Sequence, residues 1–131
     1  MSARAEVGTL NWRRIVVFSA ALFAATAAAA FPFGFVSGFL SSRGEPVPSW
    51  VSIGPQLAVP AAAIAVFFVL GRRQDDRPWL HALAICVVAW LISFPLNVLL
   101  LGQPLLAWGL ALPALSVAQA VGLGASALAR R

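Results

Sequence analysis

Cys86, Trp90, Ser93 and Asn97 lie four, three and four residues apart in an otherwise apolar stretch, so they share one face of a helix. Such a stripe has two chemical uses inside a membrane. It can hydrogen-bond to a neighbouring helix, worth ~0.6 kcal/mol per contact. Alternatively, it can line a cavity that accepts an uncharged or weakly polar solute. The other apolar stretches carry shorter stripes: Ser52, Gln56 and Pro60 at intervals of four; Ser116 and Gln119, then Ser126; and Ser19 with Thr26, seven apart. Gln56, Ser93, Asn97 and Gln119 are therefore the candidate residues for a polar cavity or for interhelical contacts. A carrier requires Gln56 and Asn97 to converge on an outward-opening cavity. A structural role requires each amide to find a partner away from lipid.

The remaining reactive groups are isolated. His81 is the only histidine and Cys86 the only cysteine. Cys86 stands off the helical face of His81, and a metal or haem site needs a second strong ligand. A nucleophilic thiolate needs a neighbouring base to lower its pKa, and none is near. His81 is expected at the membrane interface, touching a loop or a headgroup. No Ser-His-Asp set, zinc-protease motif or phosphate loop can be assembled. No Asp, Glu, Lys or Arg lies inside any of the four apolar stretches, whereas proton-coupled pumps keep an ionisable group at membrane depth. The expectation is a protein without catalytic machinery, cofactor or metal.

These residues must be positioned by membrane spans. The chain is 61% hydrophobic and 10% charged over 131 residues, against ~25% charged for a soluble domain. A span needs ~20 apolar residues to cross a ~30 Å hydrocarbon core. The pattern predicts an all-α membrane protein of four transmembrane helices, arranged as two parallel hairpin repeats in a compact bundle. Residues 1–14 form a cytoplasmic N-terminal lead, and residues 15–73 a first hairpin with spans near 15–40 and 50–70. Residues 74–78 make a cytoplasmic loop, and residues 79–131 a second hairpin with spans near 79–101 and 105–128. Pro32, Pro60, Pro95 and Pro113 fall inside these spans and should kink them. The outer turns hold Gly44-Glu45-Pro46 and Gly102-Gln103-Pro104.

A signal peptide is the rival reading of the first span, because Arg13-Arg14, an apolar run and Ala27 to Ala30 resemble its three regions. The apolar run continues to Leu40, too long for that purpose, so the span is expected to be retained.

The repeat rests on alignment. Residues 44–73 placed over 102–131 give ten identities in thirty pairs, among them Trp50 with Trp108, Pro55 with Pro113, and Arg72-Arg73 with Arg130-Arg131. The first and third spans align more weakly, through Arg14 with Arg77, Ala21 with Ala84, and Phe31-Pro32 with Phe94-Pro95. Parallel repeats of this kind are commonly related by an axis along the membrane normal. Close helix packing is expected at Ala30, Gly34 and Gly38 and, with less weight, at Ala118, Gly122 and Ser126, where small residues recur every four positions.

All nine basic residues are arginine, and eight of them flank the ends expected on one side, with only Arg43 on the other. That bias places both termini in the cytoplasm. It also argues against nucleic acid as a partner, since no basic patch on a polar folded face exists. Arginine without lysine, beside abundant alanine, points to a bacterial inner-membrane protein. Its partners are then the lipid bilayer and a homo-oligomer or another membrane protein. The expected role is an accessory or subunit-type component. The alternative is a small oligomeric channel or carrier for an uncharged or weakly polar solute.

Overall fold

Residues 10–74 and 77–131 are described by the computed structural model; most of the N-terminal lead and Asp75-Asp76 of the expected loop lie outside them. Asn11 starts the first helix, its side-chain oxygen accepting the Arg14 N–H at 3.1 Å, which satisfies one of the orphan donors of a first turn. Helix α1 then runs Trp12–Ser42 and α2 Ser49–Arg73. Pro78 occupies the first turn of α3 (Pro78–Phe94), where a missing N–H is harmless. A π-helical segment, Pro95–Leu100, continues α3, and α4 follows as Leu105–Leu128. Four helices are therefore long and apolar enough to cross a membrane, at 31, 25, 23 and 24 residues, the π-helical segment counted with α3. At 1.5 Å per residue the shortest spans about 35 Å and α1 about 46 Å, against a ~30 Å hydrocarbon core.

Both turns opposite the arginine-rich end use the same device. Gly44 and Gly102 adopt positive φ, 70° and 66°, the left-handed step that ends a helix cheaply only when no Cβ is present. Each is followed by X-Pro, which biases the chain towards extended structure.

At Pro95 the helix widens instead of merely bending. The Leu101 N–H reaches back five residues to the Leu96 carbonyl at 3.0 Å, and the Gln103 N–H bonds the Asn97 carbonyl at 2.8 Å. Proline removes one donor from the ladder, and the wider turn changes the helical phase of the residues that follow.

α1 packs against α2 and α3, and α4 packs against α2 and α3, while α1 and α4 do not touch among the described residues. Neighbours α1/α2 and α3/α4 are antiparallel; α1/α3 and α2/α4 run parallel. An axis along the normal would set α1 diagonally from α3. Here they are adjacent, and the expected rotational relation between the halves does not hold: the second hairpin lies beside the first.

Burial is uneven along the bundle. The core is Ile15, Leu22, Ala63, Phe67, Leu70, Ala82, Ile85, Cys86, Ala89, Ala118 and Leu123, all in the helix halves nearest the arginines. In the opposite half only Val51 is fully buried, and side chains such as Leu57 and Leu106 stand 70% and 77% exposed. Apolar surface on that scale suits a lipid environment, since soluble monomers rarely expose it.

Candidate functional site

The densest polar chemistry lies at the arginine-rich end, where four helix termini meet. A helix C-terminus leaves carbonyls without intrahelical partners, and cations there also complement the helix dipole. Three arginines use this. Arg14 of α1 donates to the Arg73 carbonyl at 3.2 Å and to the Gln74 side-chain oxygen. Arg72, at the end of α2, donates to the Ala129 carbonyl past α4 at 3.1 Å. Arg130 returns from α4 to the Gln74 carbonyl at 3.3 Å. The arginines that make up the charge bias thus also clamp the termini together.

His81 is the centre of this clamp and is only 4% exposed. Its Nε2 accepts the Asn11 backbone N–H at 3.2 Å. A backbone N–H can only donate, so Nε2 is unprotonated and Nδ1 carries the proton, donating to the Arg77 carbonyl at 3.2 Å. The Gln74 amide nitrogen lies 3.4 Å from the same Nδ1. The imidazole therefore does contact the loop, through Arg77, but it is covered by the start of α1 and does not face headgroups. Arg77 itself adopts the left-handed region at φ 44°, which turns its carbonyl towards the ring.

Gln119 extends the network inward. It is 6% exposed; its Oε1 accepts from the Cys86 thiol at 3.3 Å, and its Nε2 donates to the Trp79 carbonyl at 3.4 Å. Ser19 on α1 donates to the Ile85 carbonyl at 3.4 Å. Buried Cys86 has a glutamine amide beside it, not a base. Among the described residues no group of three His, Cys, Asp or Glu could hold a metal ion.

Ser93 belongs to a second cluster, which joins α3 to α4 nearer the opposite end. Trp90 and Trp108 stack with centroids 3.8 Å apart, and Phe94 meets Trp108 edge-on at 5.0 Å. The Trp108 indole N–H donates to Ser93 Oγ at 3.1 Å, Ser93 donates to the Trp90 carbonyl, and the Trp90 indole donates to the Trp108 carbonyl at 3.0 Å. Both indole donors of these half-buried tryptophans are thus satisfied within the protein, as their burial requires.

The structure does not bring Gln56 and Asn97 together. Gln56 is exposed on α2, Asn97 is half-buried in the π-helical segment, and neither side chain has a hydrogen-bond partner among the described residues. Cys86, Trp90 and Ser93 of the stripe are hydrogen-bonded, whereas the side chain of Asn97, in the π-helical segment, is not. A Gln56→Leu, Asn97→Leu double substitution should therefore equal the sum of its single changes within about 0.5 kcal/mol in detergent melts. Coupling beyond that would show that the two amides meet.

The small-residue motifs also part company. Ala118, Gly122 and Ser126 are buried on the side of α4 facing α2; a Cβ on Gly122 would stand 2.7 Å from the Ile64 carbonyl oxygen. Ser126 fills the space beside Gly71. Gly34 and Gly38 are exposed, and a methyl added at either would meet nothing within 4 Å; Ala30 is half-buried. Gly54, not Gly34, accommodates a close neighbour on the first hairpin, the Phe33 ring.

Two clefts open at the arginine-rich end. One, of about 350 Å³, is lined by Asn11, Arg13, Arg14, Val17, Phe18 and Arg73. The other, of about 210 Å³, is lined by Gly71, Gln74, Pro78, Trp79, Leu123, Ser126, Ala127 and Arg130. Neither includes Gln56 or Asn97. Comparison with known protein families, curated proteins and solved structures finds no match to this chain.

Sequence reading missed Asn11, Arg14 and Gln74 as members of the polar network. The available signal was the alternation of helix starts and ends at one side, each flanked by arginine. Arginines so placed can satisfy the carbonyls of a neighbouring helix.

Proposed function

We propose that this chain is a non-catalytic, four-span component of a bacterial inner membrane, an accessory or subunit that packs against a membrane partner or another copy of itself. One contrast carries the reading. Of the buried polar side chains, Ser19, Gln74, His81 and Gln119 bond to another helix or its end, and Ser126 bonds within its own, while the small-residue face at Gly34 and Gly38 is left outside the bundle. A carrier reading has less support, because Gln56 and Asn97 share no cavity. Both termini are read as cytoplasmic from the arginine bias, with reporter fusions at residue 75 and at the C-terminus cytoplasmic and one at Glu45 periplasmic. A periplasmic C-terminus would overturn the orientation.

The two hairpins are further read as products of duplication. Aligned Trp50 and Trp108 each meet an aromatic ring of the preceding helix, Trp50 against Phe33 at 6.5 Å and Trp108 against Trp90 and Phe94. Aligned Arg72 and Arg130 cross over, each donating to a carbonyl beyond the other's helix.

The partner reading is tested by co-purification in mild detergent. Gly34→Ile with Gly38→Ile should leave the melting temperature nearly unchanged, since both positions are exposed and a Cβ at either meets nothing within 4 Å among the described residues. The same change should abolish the co-purifying species or the oligomer. Retention of the complex in a folded variant would remove that face from the assembly.

A further inference from the structure

Net charge is distributed very unevenly. Along the sequence, the segments that adjoin the arginine-rich end hold eight arginines against Glu6, Asp75 and Asp76, the full +5 of the chain, while Arg43 and Glu45 cancel in the turn at the opposite end. The larger cleft lies at this charged end, between the start of α1 and the end of α2. Its charged lining is Arg13, Arg14 and Arg73, and its apolar lining Val17 and Phe18. Arg14 is held in place by the Arg73 carbonyl and Gln74. Arg13 and Arg73 have no side-chain bond among the described residues, so two guanidinium groups remain available beside one that is already oriented.

We propose that this cleft binds the phosphate of an anionic glycerophospholipid, with an acyl chain lying over Val17 and Phe18. This inference rests on the membrane reading above. Guanidinium groups stay charged at all physiological pH values and match phosphate oxygens with paired N–H donors. Basic pockets between spans on the positive side are suited to such headgroups. The apolar lining selects a lipid over free phosphate, because an inorganic anion would leave Val17 and Phe18 uncovered. Three arginines, with no carboxylate among the described lining residues, select an anionic headgroup over a zwitterionic one. Repulsion among the three guanidinium groups is relieved when the phosphate enters.

The test is native mass spectrometry of the full chain in maltoside, with phosphatidylglycerol or phosphatidylcholine of identical acyl chains added. Carbonate washing of membranes comes first: retention in the pellet confirms integration, and release would overturn the membrane reading and the lipid site with it. The expected result is preferential retention of phosphatidylglycerol. Arg13→Gln with Arg73→Gln should reduce it about tenfold, the factor for losing roughly one charge-assisted hydrogen bond. Arg77→Gln with Arg131→Gln removes the same charge outside the cleft and should change retention by less than about twofold. Equal loss in both double variants would overturn the site in favour of diffuse surface attraction. Equal retention of the two lipids, both of which carry the phosphate, would overturn the choice of an anionic headgroup over a zwitterionic one. Displacement of phosphatidylglycerol by millimolar inorganic phosphate would overturn the choice of a lipid. Unchanged circular dichroism of the variants excludes misfolding as the cause.

Discussion

Gly122→Ala should lower the stability of the bundle by about 2 kcal/mol, as overpacking at a site that cannot yield. The new methyl would stand 2.7 Å from both the Ile64 carbonyl oxygen and the Phe67 Cβ. One of these is backbone, so the conflict is relieved only by moving α2 away from α4. That movement also loosens Phe67 and Leu123, which are 0% and 3% exposed. Gly124→Ala is the matched control on the same helix. Its methyl meets nothing within 4 Å, so it should gain up to about 1 kcal/mol from helix propensity. Thermal unfolding in one detergent compares the two directly. If Gly122→Ala melts at or above the parent temperature, α2 and α4 do not cross there. Gly71→Ala gives an independent check, because its methyl collides with the Ser126 side chain. Ser126→Gly should rescue it, and a double-mutant cycle should show strong coupling.

His81→Leu should cost about 2 kcal/mol, the penalty for leaving one part-buried donor without its acceptor and removing a buried polar contact. Leucine has similar bulk but accepts nothing, so the Asn11 N–H loses its acceptor, while the Arg77 carbonyl keeps the backbone N–H groups of Leu80 and residue 81. The damage should begin at the first turn of α1, where hydrogen exchange at residues 12–15 should accelerate before the rest of the helix responds. Asn11→Ala separates the components. It removes the helix cap, at about 1 kcal/mol, but keeps the backbone N–H that His81 receives, so it should be the milder change. Equal stability of His81→Leu and the parent would mean that the imidazole is not part of the clamp.

The helical composition of the chain was readable because its determinants are local. Long apolar runs, Pro78 at a first turn, and Gly44 and Gly102 before X-Pro each act within a few residues of themselves. The stripe of Cys86, Trp90 and Ser93 was readable for the same reason, since a regular helix preserves a fixed angle per residue. Asn97 shows where that reasoning stops. It lies in the π-helical segment that begins at Pro95, where the fixed angle per residue of an α-helix no longer holds. His81 was identified as unusual, but its burial depends on Asn11, seventy residues away in sequence. Gly34-xxx-Gly38 and Gly122 have the same local signature. Only one faces a neighbour within this chain, because a small-residue motif specifies permission to approach and not the helix that does so.

By itself the sequence determined that four long apolar helices would form and that nearly all the arginine would gather at one end. Both follow from hydrophobicity and charge, which sum along the chain without reference to what is packed on what. Tertiary structure alone decided that α1 lies beside α3 and not diagonally from it, and that Arg14, Arg72 and Arg130 reach carbonyls of other helices. It also decided that the tight core occupies only the arginine-rich half. Those outcomes depend on which faces meet at close range, where a single methyl or one shifted helical turn changes the answer.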